Sequence, residues 1–127
     1  MAKVVLITGG SRGIGKAIAK KLESQGYEVF APSSKELDIR SRESVETYIQ
    51  KNLKGKKLYA LISNAGIFGS GAIEDFPEES WLDIIDVNLN GAYRVTKACL
   101  PLLKRSSNSN IIYISSYSTS IISFNTK

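Results

Sequence analysis

The sequence predicts an α/β fold, a doubly wound parallel sheet in a single domain. Three observations point there. Short apolar, β-branched runs end on Gly, Pro or Asn; the segments between them place apolar residues every three to four positions; and a glycine-rich turn joins the first run to the first such segment. The 127 residues, 43% of them hydrophobic, suffice for one core and not for two ordinary domains.

Val4 to Thr8, VVLIT, is a continuous apolar run that stops at Gly9-Gly10, the pattern of a strand buried on both faces. From Gly13 the period changes: Ile14, Ala17, Ile18 and Leu22 alternate with Lys16, Lys20, Lys21 and Glu23, an amphipathic helix closed by Gly26. Tyr27 to Ala31, YEVFA, reads as a second strand ended by Pro32-Ser33-Ser34. No room for a crossover helix follows, so Leu37 to Ile39, LDI, is either a short third strand after a bare loop or part of that loop. Ser41 opens a capping-box-like start to a helix marked by Val45, Tyr48, Ile49 and Leu53, ending near Gly55.

Leu58 to Ser63, LYALIS, is the next buried strand and stops at Asn64-Ala65-Gly66. A glycine-bearing, flexible segment leads to Pro77, Glu78 and Glu79, which suit the first turn of a helix. That helix is expected over 77–104, kinked near Asn88 to Gly91, and is too apolar around its circumference for a lone surface helix. A Ser/Asn-rich turn then precedes a last strand, Asn110 to Ile114. Counting LDI, the sheet is expected to end after about its fifth strand.

Seventeen Lys and Arg against twelve Asp and Glu give a net charge of +5, but the basic residues are scattered. The reading is a solvated surface and no nucleic-acid partner. No stretch reaches the roughly 18 apolar residues of a membrane span, and MAKVVLITGG runs straight into a strand without a signal-peptide pattern, so a soluble, cytoplasmic protein is expected. The single cysteine, Cys99, allows no internal disulfide, and the lack of histidine excludes a Ser-His-Asp triad within this chain; no metal site is expected.

The turn TGGSRGIG, from Thr8 to Gly15, places residues without a Cβ at a helix N-terminus, where exposed N–H groups and the helix dipole favour a pyrophosphate. Its spacing is G-x-x-x-G-x-G. With LDI, SNAG, DVNLNG and YISS following in order, the chain resembles the short-chain dehydrogenase/reductase family, in the branch carrying TGxxxGIG. The resemblance runs over nearly the whole chain. It implies a Rossmann-like, single dinucleotide-binding domain over 1–127 that is C-terminally incomplete. It further implies oxidoreductase chemistry, hydride passing between a nicotinamide and a carbonyl or alcohol substrate.

Residue by residue, the resemblance implies that Gly9, Ser11, Arg12, Gly13, Ile14 and Gly15 form the pyrophosphate and ribose loop. Asp38 and Ile39 match the pair whose acid reads the adenine amino group, although Asp38 also suits a plain helix-capping role beside Ser41. Asn64, Ala65 and Gly66 match the motif lining the cofactor ribose, with Ser63 where the family usually has Asn. NAD-preferring relatives place an acid at the end of the second strand. Here Ser33 and Ser34 occupy that place, with no carboxylate, and Arg12 sits where relatives grip a 2′-phosphate. NADP(H) is therefore expected over NAD(H).

Asn88 matches the family's proton-relay Asn, or serves the helix kink alone; Ser116 matches the substrate-holding Ser, or is a polar turn after the strand. The family's Tyr-x-x-x-Lys pair is expected beyond Ser116 and does not appear there. Tyr113 and Tyr117 lack the matching Lys, and Lys127 lacks the matching Tyr. Two readings follow: a portion of a longer reductase or dehydrogenase, itself inactive, or a non-catalytic dinucleotide-binding module that self-associates. Either is expected to form a homo-oligomer through helix 77–104. A basic interaction protein with an idle fold is a third, disfavoured by the scattered charge.

Overall fold

The structure, a computed structural model, describes residues 1–116; Tyr117, Lys127 and the closing segment between them lie outside the described residues. Strands β1 (Val4–Ile7), β2 (Glu28–Phe30), β3 (Leu58–Ser63) and β4 (Asn110–Tyr113) form one parallel sheet in the order β2-β1-β3-β4. The alternation of side chains along β1 builds two cores. Val4 and Leu6 face one, which holds Leu58 and Leu61 of β3, Val45 and Ile49 of helix α2 (Arg42–Asn52), and Val95, Cys99 and Leu102 of helix α4 (Ala92–Leu103). Val5 and Ile7 face the other, which holds Ala60 and Ile62 of β3 and Ile18, Ala19 and Leu22 of helix α1 (Gly13–Ser24). Each fully buried Leu or Ile contributes roughly 1.5–3 kcal/mol relative to exposure.

Helix α2 starts as its sequence indicates. The Ser41 hydroxyl accepts the Ser44 N–H at 3.1 Å, although Ser44 is not the Glu that would complete a reciprocal box. The long helix expected over 77–104 is three pieces. Helix α3 (Glu78–Ile85) passes into a π-helical turn (Asp86–Gly91) and then into α4, so the kink near Asn88 is a wider turn of backbone. A short 3₁₀ turn, Ile73–Asp75, lies in the glycine-bearing segment expected to be flexible.

Leu37 to Ile39 is loop, and the described residues hold four strands where about five were expected. Leu37 and Ile39 do point the same way into the core, which gives them the period of a strand. Their backbone is committed elsewhere. The Leu37 N–H closes a turn onto the Ser33 carbonyl at 2.9 Å, and the Asp38 N–H bonds the Ser44 hydroxyl at 2.9 Å. Among the described residues no helix is long and apolar enough to cross a membrane.

The carboxyl ends of β1 and β3 diverge into loops that run to α1 and toward α3. From β1 the chain winds to β2 on one side and returns to β3 on the other, which opens a crevice at that end of the sheet.

Candidate functional site

The crevice is a cleft of about 430 Å³. Its floor is the turn after β1. Gly9 and Gly13 adopt φ +64° and +57°, which favour glycine. A Cβ on Gly9 would stand 2.9 Å from the Ala65 Cα, one on Gly10 2.5 Å from the Ala31 Cβ, and one on Gly15 would strike the Gly9 carbonyl and the Asn64 amide. The turn is therefore packed against the ends of β2 and β3 in a way no side chain permits. Helix α1 begins behind it with Arg12 as an extended N-cap that makes no side-chain cap, so the first-turn N–H groups are left for another acceptor.

Thr8 stitches this floor to the far wall. Its buried hydroxyl accepts the N–H groups of Asn64 and Ala65, each at 3.0 Å, and the Asn64 amide donates back to the carbonyls of Thr8 and Gly9 at 3.0 and 3.1 Å. The cleft is lined from the floor by Gly9, Ser11, Arg12, Gly13 and Ile14. Asn64, Ala65 and Gly66 line it after β3, and Ser34, Asp38 and Ile39 after β2. Two expected residues stand behind it. Gly15 is buried against Gly9 and Asn64, and Ser33 holds the Glu36 carboxylate on its own N–H at 2.7 Å.

That Glu36 contact matters for charge, because it turns the nearest acid after β2 back onto its own turn. Among the described residues, the one carboxylate lining the cleft is that of Asp38. It accepts from the Arg40 backbone N–H at 3.0 Å and from the Arg40 guanidinium at 3.2 and 3.4 Å. Those side-chain bonds hold its carboxyl below the usual range against the opposing effect of burial. Arg40 also reaches Asp83 at 3.7 Å. Arg12 is exposed and makes no ion pair among the described residues, so its positive charge is not offset at the mouth.

Asn88 stands on the π-helical turn next to Val87 and is not itself among the residues lining the cleft; it reaches Ile67, which is. The Asn88 amide oxygen accepts the Ile67 N–H at 2.8 Å and its nitrogen donates to the Ile67 carbonyl at 2.9 Å, so it clamps the loop that follows Gly66. Ser116 is exposed beyond β4, after the Ile114 N–H extends the sheet onto the Ser63 carbonyl at 3.0 Å; it is not among the residues lining the cleft. Cys99 lies in the core, where burial pushes its thiol up to about 12 and removes it from the candidate nucleophiles.

Four lining residues were not among the expected site residues: Leu37 and Val87, which stand inside the LDI and DVNLNG motifs, and Arg40 and Ile67, which stand outside any motif. Thr8 could have been singled out, as a polar residue ending an apolar strand. A Tyr-x-x-x-Lys spacing does occur, at Tyr93 to Lys97 on α4, with the Lys97 ammonium 3.4 Å from the Tyr93 hydroxyl. Both residues line a different groove, between α2 and α4, and not the cleft.

Against known proteins, a family profile described as short chain dehydrogenase matches residues 3–37 and 33–126. The chain is 32% identical to the 3-oxoacyl-(acyl-carrier-protein) reductase FabG of Haemophilus influenzae, over 90% of this chain and 55% of that protein. It is 35% identical to the mitochondrial D-beta-hydroxybutyrate dehydrogenase of Bos taurus, over 82% of this chain and 38% of that one. Among solved structures it is similar to ligand-free aldohexose dehydrogenase of Thermoplasma acidophilum, with 33% identity and a TM-score of 0.82 over 98% of this chain and 53% of that one. The chain spans about half the length of the first curated relatives it matches.

Proposed function

This chain belongs to the short chain dehydrogenase family, a family of oxidoreductases with a parallel, Rossmann-like sheet, and from that premise we propose that residues 1–127 are a single dinucleotide-binding domain that takes NADP(H) in preference to NAD(H). The observation that carries the proposal is the glycine cradle. Gly9, Gly10 and Gly15 are packed so closely by Ala65, Ala31 and Asn64 that no side chain fits, while the uncapped α1 N-terminus faces the opening. A pyrophosphate suits that place because it needs main-chain approach and a row of N–H donors. Ser11, Gly13 and Ile14 border it; Asn64, Ala65 and Gly66 would flank the ribose; Asp38 and Ile39 would meet the adenine.

The phosphate preference rests on charge. Arg12 and Ser34 line the cleft beside Ser33, while Glu36 is held back on the Ser33 N–H. Among the described residues, a 2′-phosphate would meet a guanidinium without an ion-pair partner there and no free carboxylate. The nicotinamide dinucleotide supplies or accepts the hydride when bound. In the protein as a whole, the substrate is a small-molecule carbonyl or alcohol of unassigned size, the oxygen being held by Ser116 and the proton passing along a relay that includes Asn88. The relatives named for reducing a 3-oxoacyl group and for dehydrogenating a hydroxy acid share that carbonyl and alcohol pair.

The 127 residues themselves are proposed to bind nucleotide without turnover. The Tyr93 and Lys97 pair belongs to another groove. A second reading, a cytoplasmic module that self-associates without catalysis, is favoured by the exposed Trp81, Leu82, Leu89 and Tyr93 on the helix run 77–104. Calorimetric titration with NADPH and NADH tests the main proposal. The expected outcome is NADPH bound at least about tenfold more tightly, a difference of ~1.4 kcal/mol. Equal or tighter NADH binding would overturn it. Steady NADPH oxidation with a reactive diketone would overturn the absence of turnover.

A further inference from the structure

The adenine edge of the cleft is a loop, and its support comes from α4, far along the chain but packed in the same core. Ile39 is flanked by Asp38 and Arg40, and all three line the cleft. Its carbonyl oxygen accepts the Nη1 donor of Arg94 at 3.1 Å, across 55 positions of sequence. The Nη2 group of the same guanidinium donates to Asp86 Oδ1 at 2.7 Å, and Asn90 donates to that oxygen at 3.1 Å. Asp86 and Asn90 both belong to the π-helical turn, as does Val87, which lines the cleft. The Ile39 side chain rests on Gly91, the last residue of that turn, where a Cβ would stand 2.6 Å from Ile39 Cδ1. One guanidinium therefore joins the loop after β2 to the turn that carries Asn88.

We propose that Arg94 is a positioning residue for nucleotide recognition. It touches neither the cleft nor a ligand, and it fixes where Asp38 presents its carboxylate by holding the next peptide against the π-helical turn. The planar fork suits this role, because two acceptors on different elements are met by two nitrogens of one rigid group. A lysine donates from a single nitrogen on a flexible stem and reproduces that fixed geometry only in part. The inference rests on the reading above, in which Asp38 accepts the adenine amino group, and it adds the residue that sets that acceptor.

The test compares the native chain with Arg94→Met and Arg94→Lys. Two dinucleotides serve as probes, NADPH and its hypoxanthine analogue, which lacks the amino group. The expected result is a loss of about tenfold for NADPH in Arg94→Met with little change for the analogue, and an intermediate loss in Arg94→Lys. A purely structural role would weaken both probes equally, and that result would overturn the proposal. Amide exchange of Arg40, whose N–H bonds Asp38, is followed on the same proteins without nucleotide. It should quicken in Arg94→Met while the Asn64 amide, bonded to Thr8, keeps its protection. An unchanged Arg40 rate overturns the positioning role whatever the titrations give. A native chain that ignores the amino group, with Arg40 still responding, instead defeats the adenine reading of Asp38.

Discussion

Arg12 and Asp38 bring opposite charges to one cleft, and only one of them is already answered. Arg40 lies on the Asp38 carboxylate, whereas Arg12 has no acid partner among the described residues. Removing Arg12 should therefore be felt by a ligand with a 2′-phosphate and by little else. We expect Arg12→Ala to weaken NADPH by about tenfold, the lower end of a charged hydrogen bond of 1.5–3 kcal/mol, and to leave NADH nearly unchanged in the same titration. Asp86 offers a pH-dependent measurement. The Arg94 guanidinium, and then the Asn90 amide, hold its carboxyl below the usual range. A folded-state value below the unfolded one, about 3.9, gives stability that is present above that value and is lost as pH falls through the folded one. Asp86→Asn should thus lower the urea midpoint at pH 7 and make a smaller difference near pH 3. A gap that stays the same at both pH values would show that Asp86 acts through shape alone.

At the scale of elements, the π-helical turn is the joint on which the site depends. It brings Asn88 to Ile67, Asp86 to Arg94 and Gly91 beneath Ile39. Gly91→Ala would put a methyl group into the space that Ile39 fills. Overpacking of a buried contact costs about 1–3 kcal/mol, and the shift would fall on the loop bearing Asp38. A lowered denaturation midpoint together with weaker NADPH binding is expected; an unchanged midpoint would mean that Ile39 moves aside freely. Much of this layer was legible in the sequence. The strands and helices declare themselves by period, and Ser41 caps as its type indicates. The glycine loop, Asp38 and Asn64 to Gly66 line one cleft because each ends or follows an element of the sheet. What was hidden is long-range hydrogen bonding. Nothing near Leu37 to Ile39 shows that Ser33, Ser44 and Arg94 will take its backbone groups, so its period of two imitates a strand. Arg94 itself reads as one more exposed cation on an amphipathic helix.

For the molecule as a whole, the unsolved problem is apolar surface. Trp81, Leu82, Leu89, Tyr93 and Leu100 are exposed by 53, 58, 64, 60 and 39% along α3, the π-helical turn and α4. β4 pairs only with β3 among the described residues, and Ile112 and Tyr113 are exposed by 46 and 55% on it. An edge strand and an apolar helix run are the two features that native chains cover, and an uncovered pair favours association. The helix run offers the larger side chains, and Leu82, Leu89, Tyr93 and Leu100 recur at helical intervals, so a second copy could bury them together. The net charge of +5 opposes association only over a Debye length of about 8–10 Å in ordinary buffer, and burial of apolar area acts at contact. Sedimentation of the chain over a range of concentrations should show reversible self-association. Leu89→Glu places a charge on an exposed position of the π-helical turn, so it should leave the fold intact and shift the chain toward monomer. If the native chain sediments as a plain monomer at every concentration, the helix run is no interface. If Leu89→Glu leaves the association unchanged, the contact lies elsewhere, with the β4 edge the next surface to block.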